Sequence, residues 1–178
     1  MDGLAVAVHD SNGIEKITVV DLKGIFTGQI TDWAQVSGGK KSGKMVVLAR
    51  ESNSGTHVFF KEHVLGNANF GATVLLMPSS KAIAQEISQN KDAVGFSGVA
   101  YFKAQKGVKI LDVAKDAKSP VVEPTDDNVR SGKYPISRPL FLYTPGAPKG
   151  VGADYLAFIK SAEGQDLVEK VGYVKMKK

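Results

Sequence analysis

Seven consecutive residues, Arg50-Glu51-Ser52-Asn53-Ser54-Gly55-Thr56, hold the clearest chemistry in the chain. Arg50 brings a planar fork of donors that stays charged. Ser54 and Thr56 add hydroxyls, and Gly55 leaves the backbone open to close approach. The stretch follows an apolar run, Met45-Val46-Val47-Leu48-Ala49, and precedes a helical pattern from His57 to Leu65. That order predicts a strand, a tight turn and a helix start. A helix start presents backbone N–H groups without intrahelical partners, backed by the positive end of the helix dipole. Arg50, Ser54, Gly55 and Thr56 together therefore make a cradle suited to a tetrahedral oxyanion. Two plainer readings stand beside this one. Arg50 could be an ion-pairing partner of Glu51 or of another neighbour, and Ser54 could act only as an N-cap, a role worth about 1 kcal/mol.

The flanking pattern supplies the elements needed to position these residues. Residues 4–9 read as a buried strand. Thr18 and Asp21 form a short-armed capping box ahead of a helix whose Leu22, Ile25 and Phe26 share a face and whose C′ residue is Gly28. Thr31-Asp32-Trp33 begins a short turn or helix, with Trp33 read as a core anchor, and residues 37–44 form a Gly- and Lys-rich loop. The strand at 45–49 leads to a helix from about Ser54 to Leu65, closed by Gly66, with Val58, Phe59, Leu65 and the stem of Glu62 expected inside. Val74–Met77 is a short apolar run, and Pro78-Ser79-Ser80 opens a helix with Ile83 and Ile87 one turn apart. Ala93–Phe96 is a strand ending in Ser97-Gly98, which either lines a cleft or is a plain turn. Another strand lies within 108–113, a polar loop spans 115–127, and a short helix runs from Asp126 to Ser131. Tyr134–Pro139 is extended, because residues before proline avoid the helical region, and feeds a strand at Leu140–Tyr143. Two helices, about 150–160 and 163–171, are expected to bury Tyr155, Leu156, Ile159, Leu167, Val168 and Val171. Strands alternating with helices indicate an α/β fold.

Composition narrows the function classes. At 178 residues, 43% hydrophobic and 23% charged, the chain is an ordinary globular protein of one domain or two small lobes. No apolar run approaches the roughly 20 residues of a membrane span. The Leu4–Val8 stretch lacks a basic n-region and is too short for a signal peptide, which implies either a cytosolic protein or a removed N-terminus. The net charge of +5 is spread along the chain, with Lys40, Lys41, Lys44 and the tail Lys175, Lys177, Lys178 read as solvated faces; no nucleic-acid surface is expected. The absence of cysteine excludes disulfides, thiol catalysis and cysteine metal sites, and fits an exported bacterial protein.

Other motifs carry less. Gly38-Gly39-Lys40-Lys41-Ser42-Gly43-Lys44 nearly fits a nucleotide-binding P-loop, but Met45 replaces the metal-binding hydroxyl and a strand follows instead of a helix. His57 and His63 are six residues apart and share no i, i+4 face, so no metal is expected. Ser54 near His57 is the sole hint of hydrolase chemistry, and no nucleophile elbow surrounds it.

Taken in order, Asp2–Val8, Leu22 with Ile25–Trp33, Arg50-Glu51 with Ser54-Gly55-Thr56, Ala93–Phe96 and Tyr134–Leu140 resemble the phosphate-binding proteins of bacterial phosphate ABC transporters. The resemblance spans nearly the whole chain. It implies a type II periplasmic-binding-protein-like α/β fold, with one complete lobe plus the strand and helices that return to the other lobe. Residues 1–9 would be a crossover strand, 10–105 the second lobe with the anion motif, 106–137 a return loop and strand region, and 138–178 part of the first lobe. It implies phosphate contacts from Arg50, Ser54, Gly55 and Thr56, no cofactor, no catalysis, a permease partner in the membrane, and a periplasmic or extracellular membrane-associated parent. The family's proton-accepting carboxylate comes from sequence before Asp2. Weak, unselective anion binding is therefore expected, with the C-terminal helices repacking on the lobe or pairing with a second chain. The alternative function is an oxyanion sensor or scavenging module uncoupled from transport; an enzyme using the Ser54–His57 region is the third.

Overall fold

The computed structural model describes residues 1–36 and 41–176. In chain order the elements are β1 (Asp2–His9), β2 (Lys16–Thr18), α1 (Val19–Thr27), a 3-10 turn (Trp33–Gln35), β3 (Val46–Arg50), α2 (Gly55–His63), β4 (Leu75–Met77), α3 (Ser80–Gln89), β5 (Ala93–Gly98), α4 (Val99–Lys103), β6 (Val108–Ala114), α5 (Asp126–Arg130), β7 (Ser137–Arg138), α6 (Val151–Lys160) and α7 (Ala162–Lys170). They confirm the α/β class.

The sheet runs β2-β6-β1-β5-β3-β4, with β7 pairing the start of β1. β1 is central and apolar on both faces. Leu4, Val6 and Val8 join one core, while Ala5 and Ala7 join the other. Successive strand residues point to opposite faces, so a continuous apolar run requires cover on both sides. One core holds α1 and α2 through Phe26, Phe60 and Phe96, whose rings meet edge-on or stacked at centroid distances of 3.7 to 5.2 Å. The other core seats Ile83, Ala84 and Ile87 of α3 against Leu48 and Ala93.

Strand direction decides where a ligand can sit. β3 is parallel to β4 and β5, whereas β1 is antiparallel to β5. The C-terminal ends of β4, β3 and β5 thus share one sheet edge with the N-terminal end of β1. In open α/β sheets the ligand crevice forms outside such strand ends, where the winding direction changes.

Local signals hold at several points. Thr18 caps α1 with a full capping box to Asp21, and Gly28 closes it at φ 81°. Trp33 is fully buried. Ser54 and Ser79 cap α2 and α3. Other expectations need correction. Val58 and Glu62 lie on the outer side of α2, and Phe60 fills the inner position beside Phe59. Phe60, next in sequence to Phe59, turns about 100° further round the helix, which brings it over Phe26 and Phe96. Helix α4 is not among the expected elements; it follows β5 directly and its N-cap, Gly98, has no side chain to mark the start. Leu140–Tyr143 is extended and exposed and belongs to no strand. A strand needs a neighbour to bond with, and no described residue ladders with this segment. Helix α6 buries no residue, and Tyr155, Leu167 and Val171 are exposed, so these helices do not repack broadly on the lobe. Contact is retained at Val174, which exchanges both backbone bonds with Met1. The P-loop-like stretch lies partly outside the described residues, which resume at Lys41.

Candidate anion site

The sheet edge opens into a cleft of about 170 Å³ lined by Arg50, Thr56, Ser80 and Gly98 from the strand ends and helix starts, by Asp2 and Arg138 from the paired β1 and β7, and by Tyr101 and Tyr173. Arg50 is the last residue of β3, so the strand delivers its guanidinium to the edge. There Nη1 donates to Ser80 Oγ at 3.1 Å and Nη2 to the Pro78 carbonyl at 3.2 Å. These bonds tie the fork to the start of α3 and leave the buried Nε without a protein acceptor. The ion pair with Glu51 considered from sequence is not formed.

The turn after β3 is held from two directions. Ser54 Oγ accepts the Thr56 N–H at 3.2 Å, the capping bond expected of it. A hydroxyl that accepts one bond still has a proton to donate. His57 Nδ1 donates to the Arg50 carbonyl at 2.7 Å, and its ring lies 4.4 Å from that of Phe70. His57 thus closes the turn and is committed to structure. The cleft walls are formed by Arg50 and Thr56 from the motif; Ser54 is buried beneath, and Gly55 is exposed beside Arg138.

Ser80, Arg138 and Asp2 are among the cleft residues that escaped the motif-based reading. Ser80 starts α3 and orients Arg50. Arg138 donates from Nε and Nη2 to Asp2 Oδ2 at 3.1 and 3.0 Å, and from Nη1 to the Gly55 carbonyl at 2.9 Å, with its Cζ 4.9 Å from the Phe59 ring centre. Asp2 and Arg138 face each other in the β1–β7 register, a pairing across 136 positions of sequence that no local pattern reveals. Asp2 therefore brings a carboxylate to the cleft from within the chain. Burial, together with Asp2 and Tyr101, pushes the Tyr173 phenol above its ordinary value, partly opposed by Arg138. Of the two readings left open for Ser97-Gly98, the plain turn is not found, since both residues belong to β5; Gly98 lines the cleft and Ser97 is buried.

Chemically the cleft sets two guanidinium groups and two helix starts of at least nine residues against one carboxylate. That balance suits a small anion. Among the described residues no three His, Asp or Glu side chains converge as metal ligands, and no helix is long and apolar enough to cross a membrane.

Known proteins are similar to this chain in sequence and fold. The phosphate-binding protein PstS of Pseudomonas aeruginosa is 31% identical over 98% of this chain and 58% of its own length. The chain thus spans little more than half of the curated relatives it matches. An ABC-type phosphate transport receptor from Vibrio cholerae superposes with a TM-score of 0.81 at 31% identity, covering 97% of this chain and 69% of that one. A putative phosphate ABC transporter substrate-binding protein from Clostridium perfringens, solved with bound phosphate, gives 0.79 at 31% identity, covering 99% and 69%. These neighbours are phosphate-binding transport proteins with this α/β architecture. The profile of the PBP superfamily domain matches residues 1–163. A fold shared with solved phosphate receptors and a family match along most of its length place the chain in the PBP superfamily.

Proposed function

We propose that this chain is part of the substrate-binding component of a phosphate ABC importer and that its cleft holds inorganic phosphate. The observation carrying this reading is the placement of Arg50 and Thr56 at one cleft with the α2 and α3 starts, in a chain 31% identical to a receptor solved with bound phosphate. In this reading the Arg50 fork and the Thr56 hydroxyl bond phosphate oxygens directly. Gly55 admits the anion to the N–H groups at the start of α2, and Ser54 supports the turn and donates its free hydroxyl proton. Ser80 and Arg138 support these four, Ser80 by holding the Arg50 fork and Arg138 by bonding the Gly55 carbonyl. The protein performs no chemistry on its ligand and needs no cofactor.

The wider assignments belong to the same proposal. The parent protein is periplasmic or extracellular and membrane-associated, and delivers phosphate to a membrane permease. Residues 1–9 serve as a crossover strand, 10–105 as an anion-binding lobe, 106–137 as a return region and 138–178 as part of a second lobe. The exposed apolar Leu140–Tyr143 segment and outer faces of α6 and α7 favour self-association of this chain in isolation. Sedimentation across a concentration series tests that point, and a monomer throughout would sink it.

Amide-resolved titration of the 15N-labelled chain with phosphate tests the binding site. The Gly55, Thr56 and Ser80 amides should move together and saturate. Shifts elsewhere, or none, would overturn the assignment.

A further inference from the structure

Arg138 makes an unusual contact for a residue in an anion site: it donates to a backbone carbonyl of the loop that would hold the anion. The acceptor, Gly55 C=O, belongs to the same planar peptide unit as the Thr56 N–H. A donor on the oxygen of a peptide draws electron density from its nitrogen and makes the N–H a stronger donor, by an estimated 10–30% per bond in a hydrogen-bonded chain. The bond is charge-assisted and short, at 2.9 Å. The Thr56 N–H now rests on a 3.2 Å bond to Ser54 Oγ, long enough to be exchanged for a better acceptor.

Arg138 is locked in this role. Its other two nitrogens donate to Asp2 Oδ2, and its Cζ lies over the Phe59 ring. Asp2 is almost wholly buried, with its side chain 8% exposed. It has two opposing effects. It aims the guanidinium at the loop, and its negative charge offsets that guanidinium within the cleft.

Resting on the phosphate reading above, we infer that the Arg138–Asp2 pair tunes anion affinity: Arg138 strengthens the Thr56 donor through the Gly55–Thr56 peptide, and Asp2 limits the positive charge the cleft offers a dianion. Arg138 is a positioning residue, acting through a peptide rather than by touching the ligand. The pair couples the anion loop to β1 and β7, so displacement of β7 weakens the same donor.

The opposite signs of the two effects supply the test. Wild type, Arg138→Gln, Arg138→Lys and Asp2→Asn are titrated with sodium sulfate and with sodium phosphate at pH 8, read at the Gly55 and Thr56 amides, with the spectrum of each free protein reporting its fold. Sulfate carries no proton at this pH, so its response reports charge alone. Arg138→Gln should weaken both anions about tenfold and move the Thr56 amide proton upfield before any anion is added; Arg138→Lys should recover part of each effect. Asp2→Asn keeps one acceptor for the guanidinium and should strengthen sulfate about threefold to tenfold. A pair that is merely structural weakens sulfate binding in Asp2→Asn as it does in Arg138→Gln, and that result overturns the inference. If Arg138→Gln fails to fold, the Asp2→Asn and Arg138→Lys titrations still decide it. Wild type that leaves both amides unmoved by either anion rejects the phosphate reading, and this inference with it.

Discussion

Replacing Arg50 with methionine removes its charge and donors while keeping most of its length. The guanidinium makes two bonds within the protein, to Ser80 Oγ and the Pro78 carbonyl, and its buried Nε has none. A charge-assisted bond to an anion contributes about 1.5–3 kcal/mol net. Coulomb attraction between unit charges 4 Å apart, at an effective dielectric of about 20, sets a ceiling near 4 kcal/mol. A loss of about 2 kcal/mol, or roughly thirtyfold in Kd, follows at 1.4 kcal/mol per decade. The fold loses much less. One neutral acceptor, Ser80 Oγ, goes unpaired, and Pro78 returns to water, for about 1 kcal/mol or about 2–4 °C in Tm for a chain of this size. Calorimetric titration with phosphate, beside a thermal melt, separates the two quantities. Phosphate affinity within about threefold of wild type would show that Arg50 serves the α3 start alone. A Tm drop much beyond 4 °C would show that its main role is to hold the edge together.

Three further outcomes follow from local geometry. An added Cβ at Gly95 would lie 2.8 Å from Ile83 Cγ2 and 3.3 Å from both Ile87 Cδ1 and Leu48 Cβ; Gly95→Ala should cost about 1–3 kcal/mol in urea unfolding, with no cost showing that α3 can shift outward. Thr18→Ala removes the hydroxyl that caps α1 and bonds Asp21, and should cost about 1 kcal/mol by the same method. Burial, with help from Glu123 and Glu15, raises the Asp112 carboxyl above its ordinary value. A carboxyl raised in the folded state opposes folding when ionised, and that penalty lifts as pH falls through the raised value. Asp112→Asn should therefore be more stable than wild type at pH 7, with the gap closing as the solution is acidified into the carboxylate range. A gap independent of pH would refute the assignment.

What could be read from sequence was what short-range physics encodes. The Thr18–Asp21 box, the Gly28 terminus, the Ser54 cap and the strand–turn–helix around Arg50 each depend on residues within a few positions of one another, where backbone donors find side-chain acceptors whatever the rest of the chain does. Periodicity carried less. It misplaced Val58 because neighbouring apolar residues on α2 compete for one face, and the sheet settles the competition in favour of Phe60. It assigned a strand to Leu140–Tyr143 from a composition that suits a strand, though strand formation also depends on a partner. The second half of the cleft was illegible for a related reason. Asp2, Ser80 and Arg138 are unremarkable beside their sequence neighbours. Parallel β3, β4 and β5 with antiparallel β1 bring them to one edge, and the Asp2–Arg138 register across 136 positions joins the pair. By itself the sequence determined the strand, turn and capped helix start around Arg50. The tertiary structure decided which charges face that turn, because electrostatic balance depends on distance in space and the sheet topology sets those distances.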